Sequence, residues 1–352
     1  MLTKDRKDNQ YSDAFDEFFS KKSYFCYFYI LNMRMKKYLI ALFYVLMATY
    51  GFGQEVQLFD KESSTIPEDD LLSIAIDGQG NKWIGSAQSG LLVFDGKSYT
   101  TFPDMKGDFF TPIFKDSKGN MWVSFSALGD IDVLARYDGS RWWWYKAEDI
   151  GPYNILVSDI CEGKDGTLYF AGPEGFLVML KENKWELLEL PEKDMVALSV
   201  DVSDDGIIAL GFGRPDCGLL LYENGKWESF SEKKSPLVIN VVRALKFTGD
   251  GSLIVGYGGG FGDGGFSVMK GKKWTHYNKS NSGISDHMVR DIEFDGQNYW
   301  MATNNGLVKF DGNKVSSVFF REGVFKNVIN EIAIEDGVLW VTTNFGLVKY
   351  IP

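Results

Sequence analysis

The stretch that decides the fold lies near the end of the chain, where two segments share one pattern. Residues 300–310 read WMATNNGLVKF, and residues 340–350 read WVTTNFGLVKY. In each segment an alternating run that begins with Trp meets a glycine, and a second apolar run follows. Alternation with a period of two predicts β-strands, and the glycine predicts a tight turn between them. The two segments therefore repeat one structural unit.

The same unit recurs along residues 54–352. The positions equivalent to Trp300 are, in chain order, Trp83, Trp122, Tyr169, Ala209, Ile254, Trp300 and Trp340, at spacings of 39 to 47 residues. A period of about 40 to 50 residues is typical of a propeller blade with four strands. We therefore predict an all-β, seven-bladed β-propeller in residues 54–352.

The two ends of the repeat region predict how the ring closes. The last unit reaches Pro352 after only three strands. Near the start, Val56–Phe59 matches the pattern of a fourth strand such as Trp227–Phe230. We predict that this N-terminal strand joins the last blade, because the pairing would cover an otherwise exposed sheet edge.

Residues 35–53 have the features of a signal peptide. Met35-Lys36-Lys37 precedes the apolar run Tyr38–Ala48, and small residues follow at Gly51 and Gly53. The run is shorter than the roughly 20 residues that a spanning helix needs. We expect export to the periplasm, the cell surface or the medium, with no stable membrane span after processing.

The preceding residues do not fit the front of such a signal. We interpret residues 1–34 as an extension that is disordered or not translated. In the alternative interpretation the extension is real, and residues 38–50 act as a membrane anchor.

Composition excludes several classes of function. The chain carries a formal net charge of −11, and removal of residues 1–53 leaves about −14. An acidic domain repels phosphate backbones, so we expect no nucleic-acid partner. Cys161 and Cys217 fit either a disulfide formed after export or two buried free thiols, and no Cys/His spacing typical of zinc is present. We expect a monomer without a cofactor or metal.

The repeat resembles a known family. The pattern x-I-x-x-D-x-x-G-x-x-W-x-x-T-x-x-G-L, seen with small length changes at Ile332–Leu347, resembles the two-component regulator propeller repeat of Bacteroidetes sensors. Those receptors also carry a second propeller, an immunoglobulin-like domain, a membrane helix and a kinase, so kinase activity is not carried over. The resemblance implies an exported recognition propeller, with carbohydrate as the favoured ligand class.

Candidate binding residues cluster at one repeat coordinate, just before the innermost strands, where the loops of a propeller converge on the channel mouth. The predicted ligand-binding residues are Asp69, Asn240, Arg243, His287, Arg290, Asn327 and Asn330, with Trp143 as a separate candidate for stacking against a sugar. Their alternative role is to cap strands and, for Trp143, to pack between blades. We predict a glycan or protein partner bound at this face.

Catalysis is less well supported by the sequence. The chain has two histidines, His276 and His287, and neither has a recognisable nucleophile or metal partner. We therefore assign no catalytic residue. The alternative is a propeller enzyme of the lyase or lactonase type, with a metal held by carboxylates in the central channel.

We predict that a signal peptidase cleaves between Gly53 and Gln54, since small residues occupy the two recognition positions. N-terminal sequencing of exported protein should begin at or next to Gln54. Membrane-bound protein that keeps Met1 would contradict this prediction.

Overall fold

A computed structural model describes residues 54–352 except 103–104, 106, 128–130, 153, 174, 192–194, 214–217, 259–263 and 322–326, and the side chains of 107–111, 127 and 131. The described residues form seven antiparallel sheets of four strands each. The predicted seven-bladed β-propeller is therefore confirmed. The predictions for residues 1–34 and 35–53 lie outside the described residues.

Blades 1 to 6 each run from an innermost to an outermost strand in chain order. The first strand of the chain is β1 (Glu55–Phe59). Blade 1 is β2 (Leu71–Ile76), β3 (Lys82–Ser86), β4 (Gly90–Phe94) and β5 (Tyr99–Thr101); blade 2 is β6 (Gly107–Lys115), β7 (Met121–Ala127), β8 (Ile131–Tyr137) and β9 (Trp142–Tyr145); blade 3 is β10 (Asp159–Glu162), β11 (Leu168–Gly172), β12 (Phe176–Lys181) and β13 (Lys184–Leu188). Blade 4 is β14 (Ala197–Val202), β15 (Ile208–Phe212), β16 (Leu219–Glu223) and β17 (Lys226–Phe230); blade 5 is β18 (Val242–Phe247), β19 (Leu253–Tyr257), β20 (Phe266–Lys270) and β21 (Lys273–Tyr277). Blade 6 is β22 (Val289–Phe294), β23 (Tyr299–Thr303), β24 (Gly306–Phe310) and β25 (Val315–Val318), and blade 7 contains β26 (Ile329–Glu335), β27 (Val338–Thr343) and β28 (Gly346–Ile351).

The N-terminal strand closes the ring as predicted. Strand β1 pairs with β28 in antiparallel register, with Val56 opposite Tyr350 and Phe59 opposite Leu347. The Phe59 ring packs 5.0 Å from the ring of Phe94 in blade 1. The first strand of the chain thus completes blade 7 and also contacts its neighbour.

A repeated hydrogen bond explains the spacing between the first turn and the tryptophan in three blades. The indole nitrogens of Trp83 and Trp122 donate to Asp77 and Asp116, each at 3.0 Å. In blade 6, Trp300 donates to Asp295 at 2.6 Å. Each carboxylate also accepts backbone N–H groups of its own turn. One aspartate therefore closes the turn and pairs a donor that burial would otherwise leave unsatisfied.

The apolar core lies between neighbouring blades. One cluster combines Ile74 and Phe94 of blade 1 with Trp340 and Leu347 of blade 7. Because each blade packs both faces against neighbours, its second and third strands are largely apolar, as in the fully buried β15.

The one described helix, α1 (Ala147–Ile150), is a single turn after blade 2. Among the described residues no helix has the length and apolar character required to cross a bilayer.

We expect Phe59→Ala to lower the free energy of unfolding by about 2 kcal/mol, below the usual range for a fully buried Phe because this ring is only half-buried. Val56→Ala is the matched control on the same strand; it is 48% exposed and should change stability by less than about 0.5 kcal/mol. Chemical denaturation measures both variants. Equal stabilities of the two variants would argue against closure by this strand.

Candidate functional site

In each of five blades, a β-bulge near the start of the innermost strand places one residue at the same mouth of the central channel. The register shifts between Val242 and Ala244 in β18 and between Val289 and Asp291 in β22. The extra residues there are Arg243 and Arg290. Bulges re-aim side chains in this way and are frequent beside functional sites. The equivalent bulged residues of blades 1, 4 and 7 are Leu72, Leu198 and Asn330.

These bulged residues surround a cavity of about 360 Å³ at the channel mouth. Its lining is divided by character around the ring. Blades 5, 6 and 7 contribute Arg243, Arg290 and Asn330, and the carboxylates of Asp159, Asp291 and Glu331 also line the cavity. Blades 1 to 4 contribute an apolar arc. The arc is formed by Leu72, Pro112, Leu156, Val157 and Leu198. The mouth is therefore concave and amphipathic, as is typical of ligand sites.

The two arginines give the polar side its charge. Arg290 donates from Nε to Asn304 Oδ1 at 2.8 Å. Neither Arg243 nor Arg290 forms an ion pair with a carboxylate of the described residues, although Asp286 lies close enough to favour the charge of Arg290. Enclosure by the channel walls lowers the pKa of both guanidinium groups, and for Arg290 the neighbouring charge of Arg243 adds to this effect. Two like charges are thus held together, and no carboxylate of the described residues pairs with either of them directly.

Asn330 lies at the same mouth but already has a structural contact. Its Nδ2 donates to the backbone oxygen of Leu71 at 2.6 Å, which links blade 7 to blade 1. The three predicted residues that line the mouth cavity are therefore Arg243, Arg290 and Asn330.

Four other predicted residues occupy the loops that enter the innermost strands. The backbone oxygens of Asp69, Asn240, His287 and Asn327 accept hydrogen bonds from Gly346, Gly218, Gly265 and Gly306, each a glycine at or just before the third strand of the preceding blade. These four residues occupy the same position in their repeats. At that position the backbone oxygen accepts a hydrogen bond from the preceding blade, and this link recurs at four blade junctions. None of the four lines the mouth cavity.

The side chains at three of these positions cap the loops themselves. Asn327 Oδ1 accepts from the backbone nitrogens of Phe320 and Arg321, and Asn240 Oδ1 accepts from Glu232. Asp69 accepts from the backbone nitrogen of Lys61 at 2.8 Å. The side chains of Asp69, Asn240 and Asn327 thus bond to loop backbone, in agreement with the alternative role as caps.

Trp143 lies on β9, the outermost strand of blade 2, and so is not part of the mouth. Its side chain is 37% exposed. The indole nitrogen donates to Asp138 at 2.8 Å, and the Arg141 guanidinium stacks 3.9 Å from a ring centroid. The structure therefore separates Trp143 from the arginine pair.

Within the channel, carboxylates join one innermost strand to the next, and three of them also line the mouth cavity. Asp159 Oδ2 accepts from Val200 of the following blade at 2.8 Å. Glu331 Oε2 accepts from Ile74 at 2.7 Å and so spans the junction between the last and first blades. The same bridge recurs from Asp201 to Phe247 and from Asp291 to Ile332. We call Asp159, Asp201, Asp291 and Glu331 the carboxylate girdle.

The girdle is electrostatically costly. Its side chains are half-buried by accessible surface, because they face water in the channel. Protein atoms nevertheless surround that channel. This enclosure raises the pKa of Asp159 to about 7 and that of Asp201 to about 6. It also raises the pKa of Asp291 to about 7, with the Glu293 charge adding to the effect. For Lys246, desolvation lowers the pKa, but Glu293, whose carboxylate lies 3.0 Å away, and Asp201 outweigh it.

In the described part of the chain, no group of three or more His, Cys, Asp or Glu side chains is arranged to hold a metal ion. His276 Nδ1 lies 3.2 Å from Ser267 Oγ on the outer half of blade 5. Cys161 is a buried free thiol, and Cys217 lies outside the described residues.

Sequence reasoning missed the apolar arc and the bulges. The available signal was interrupted alternation. In β2, Leu71 and Leu72 are consecutive apolar residues just before Ser73, so strict alternation fails where the register shifts.

The fold is shared with several known proteins. No family model and no curated protein matches this sequence. Among solved structures, the extracellular domain of a putative hybrid two component system from B. thetaiotaomicron has a TM-score of 0.67 and 17% identity over 84% of this chain. Virginiamycin B lyase from Staphylococcus aureus has a TM-score of 0.67 and 14% identity, covering 85% of this chain and 99% of its own. This chain spans 41% of the regulator domain. The likeness to regulator propellers inferred from the repeat is therefore confirmed at the level of the fold.

We predict that stability falls as the pH rises from about 5 to 8, because girdle carboxylates with raised pKa values bind more protons in the native state than in the unfolded chain. Glu331→Gln keeps the acceptor for Ile74 and removes a charge. At pH 8 this variant should be more stable than the wild type by at least about 1 kcal/mol, after allowance for screening by channel water.

Denaturation at a series of pH values tests this expectation, with exposed Glu186→Gln as the control that should follow the wild type. A wild type whose stability rises over this range, or a Glu331→Gln profile parallel to it, would contradict the expectation.

Proposed function

We propose that this protein is an exported, non-catalytic recognition propeller that binds an acidic glycan, or a carboxylate of a protein partner, at the channel mouth. The observation that carries the proposal is the pair Arg243 and Arg290. Bulges of adjacent blades hold both guanidinium groups at a concave surface, and neither has an ion-pair partner among the described residues.

The geometry suits a ligand that is both charged and apolar. Guanidinium groups bind carboxylates through two parallel hydrogen bonds, which gives strength and orientation. The arc of Leu72, Leu156 and Leu198 faces them across the mouth. A uronic-acid residue fits this division, since its carboxylate can meet the arginines while the apolar face of its ring packs against leucine.

The structural neighbours support export. Two of them are described as extracellular domains, one of a putative hybrid two component system and one of a putative one component system, both from B. thetaiotaomicron. A propeller of the same architecture in an extracellular setting agrees with the signal peptide predicted at residues 35–53.

An enzyme of the lyase type is the second candidate, and its support is the shared fold. One of the virginiamycin B lyase structures is of a catalytically inactive variant in which a histidine is replaced by alanine. In this chain His276 lies on β21, the outermost strand of blade 5, and His287 lies in a loop, so neither lines the mouth cavity. We therefore favour binding without catalysis.

We predict that Arg243→Ala/Arg290→Ala weakens binding of an acidic oligosaccharide, selected on a glycan array, by about 2 kcal/mol or more, which is roughly a thirtyfold loss of affinity. The melting temperature should stay within about 1 °C of the wild type, because neither guanidinium neutralises a carboxylate directly. Titration calorimetry and thermal melting measure the two effects. Arg141→Ala, on the outside of blade 2, is the control and should bind normally.

The outcomes separate the interpretations. If the double variant loses stability and binds only in proportion to the folded fraction, the arginines are structural. If it is stable and binds with unchanged affinity, the mouth is not the recognition face. Preference for neutral over acidic glycans would also contradict the proposal.

A further inference from the structure

The outermost strands of four blades carry tryptophan at one register position. Trp142, Trp185, Trp227 and Trp274 each lie opposite the equivalent residue of the third strand, namely Tyr137, Leu180, Tyr222 and Met269. Their indoles pack toward the preceding blade. Trp142 lies 6.0 Å from Phe102, Trp185 lies 5.3 Å from Tyr145, and Trp274 lies 5.9 Å from Phe230. An indole thus fills the outer part of these interfaces between blades.

Blades 1, 6 and 7 lack this tryptophan, and the residues at its register position are Tyr99, Val315 and Val56. In blade 6, Val315 lies opposite Phe310. The residue of blade 5 that an indole would meet there is Tyr277, the equivalent of Phe102 and Tyr145. Val315 is much smaller than Trp, so it leaves part of the interface between blades 5 and 6 unfilled.

A cleft of about 370 Å³ lies at this interface. Its walls are apolar and aromatic, formed by Ile254, Val268, Tyr277, Tyr299 and Phe310. The same side chains belong to one apolar cluster with Val315. The cleft therefore occupies the region that an outer-strand indole fills at four other interfaces between blades.

Polar groups surround the opening. Thr248 and Thr275 contribute hydroxyls, and Lys270 forms an ion pair with Asp250 at 2.6 Å. Thr248 and Asp250 follow the end of β18, whereas Arg243 lies near its start. The cleft is consequently on the opposite face of the propeller from the arginine mouth.

We propose that this cleft is a second binding site, specific for a planar aromatic ring of indole size. The chain itself shows which shape the interface accepts, because four equivalent interfaces contain an indole supplied by the outer strand. An external ring can contact Tyr277 as Trp185 contacts Tyr145, whose ring centroid lies 5.3 Å away, and Phe310 lines the same cleft. The hydroxyl of Thr275 on the cleft wall can accept the indole N–H.

The test uses indole as the probe and two tryptophan variants. Val315→Trp restores the indole of the other blades and fills the cleft from within. We expect it to lower indole affinity at least about tenfold, measured by saturation-transfer NMR, and to raise the melting temperature by about 2 °C. Val56→Trp is the matched control, since it places an indole at the same register of blade 7 and should leave indole binding unchanged.

A second measurement does not depend on any variant. A diazirine-bearing indole should cross-link to peptides that contain Thr275 or Tyr299 in the wild type. Equal binding of indole to the wild type and Val315→Trp would overturn the proposal. Cross-links confined to other blades, absence of indole binding, or displacement of indole by equimolar methyl glucoside would also overturn it.

Discussion

The innermost strand of each blade has an edge without a neighbouring strand, and its backbone N–H groups need partners within the channel. The carboxylate girdle meets this requirement at four blade junctions. In each, a side chain of one blade accepts a hydrogen bond from the inner edge of the next, as Glu331 does from Ile74. A charged acceptor makes a strong hydrogen bond, but enclosure of several negative charges opposes it. The raised pKa values of Asp159 and Asp291 express this opposition.

Both candidate sites arise where particular blades differ from the others at an equivalent position. Bulges give blades 1, 4, 5, 6 and 7 a residue at the mouth, but only blades 5 and 6 place arginine there. In the same way, four blades carry an outer-strand tryptophan, whereas blade 6 has Val315 there and a cleft lies beside it. The shared positions maintain the fold, and the exceptions create surfaces that differ in charge and shape. In a propeller, function is therefore best sought at positions where the repeat is broken.

Much of the architecture could be predicted from the sequence because the repeats are explicit. The Trp300 and Trp340 segments established the period, and Val56–Phe59 indicated the closing strand. The mouth was predicted less completely. Arg243, Arg290 and Asn330 line it, whereas Asp69, Asn240 and Asn327 cap loops at the adjoining coordinate. A repeat coordinate does not reveal whether a polar side chain turns toward the channel or back to its own backbone. The direction of the side chain depends on whether the residue lies in a β-bulge, and the amino-acid composition of a strand does not show where its bulge is.

The most direct test of the central claim is amide hydrogen exchange at Ile74 and Ile332. Both N–H groups lie on inner strand edges. Each donates a hydrogen bond to a girdle carboxylate of the neighbouring blade, Ile74 to Glu331 and Ile332 to Asp291. We predict slow exchange at both positions in the wild type. In Glu331→Ala, Ile74 should exchange much faster, while Ile332, which is bonded to Asp291, should stay protected. If Ile74 exchanges as fast as an open strand edge in the wild type, or is unaffected by loss of the Glu331 carboxylate, the girdle does not hold the blades together.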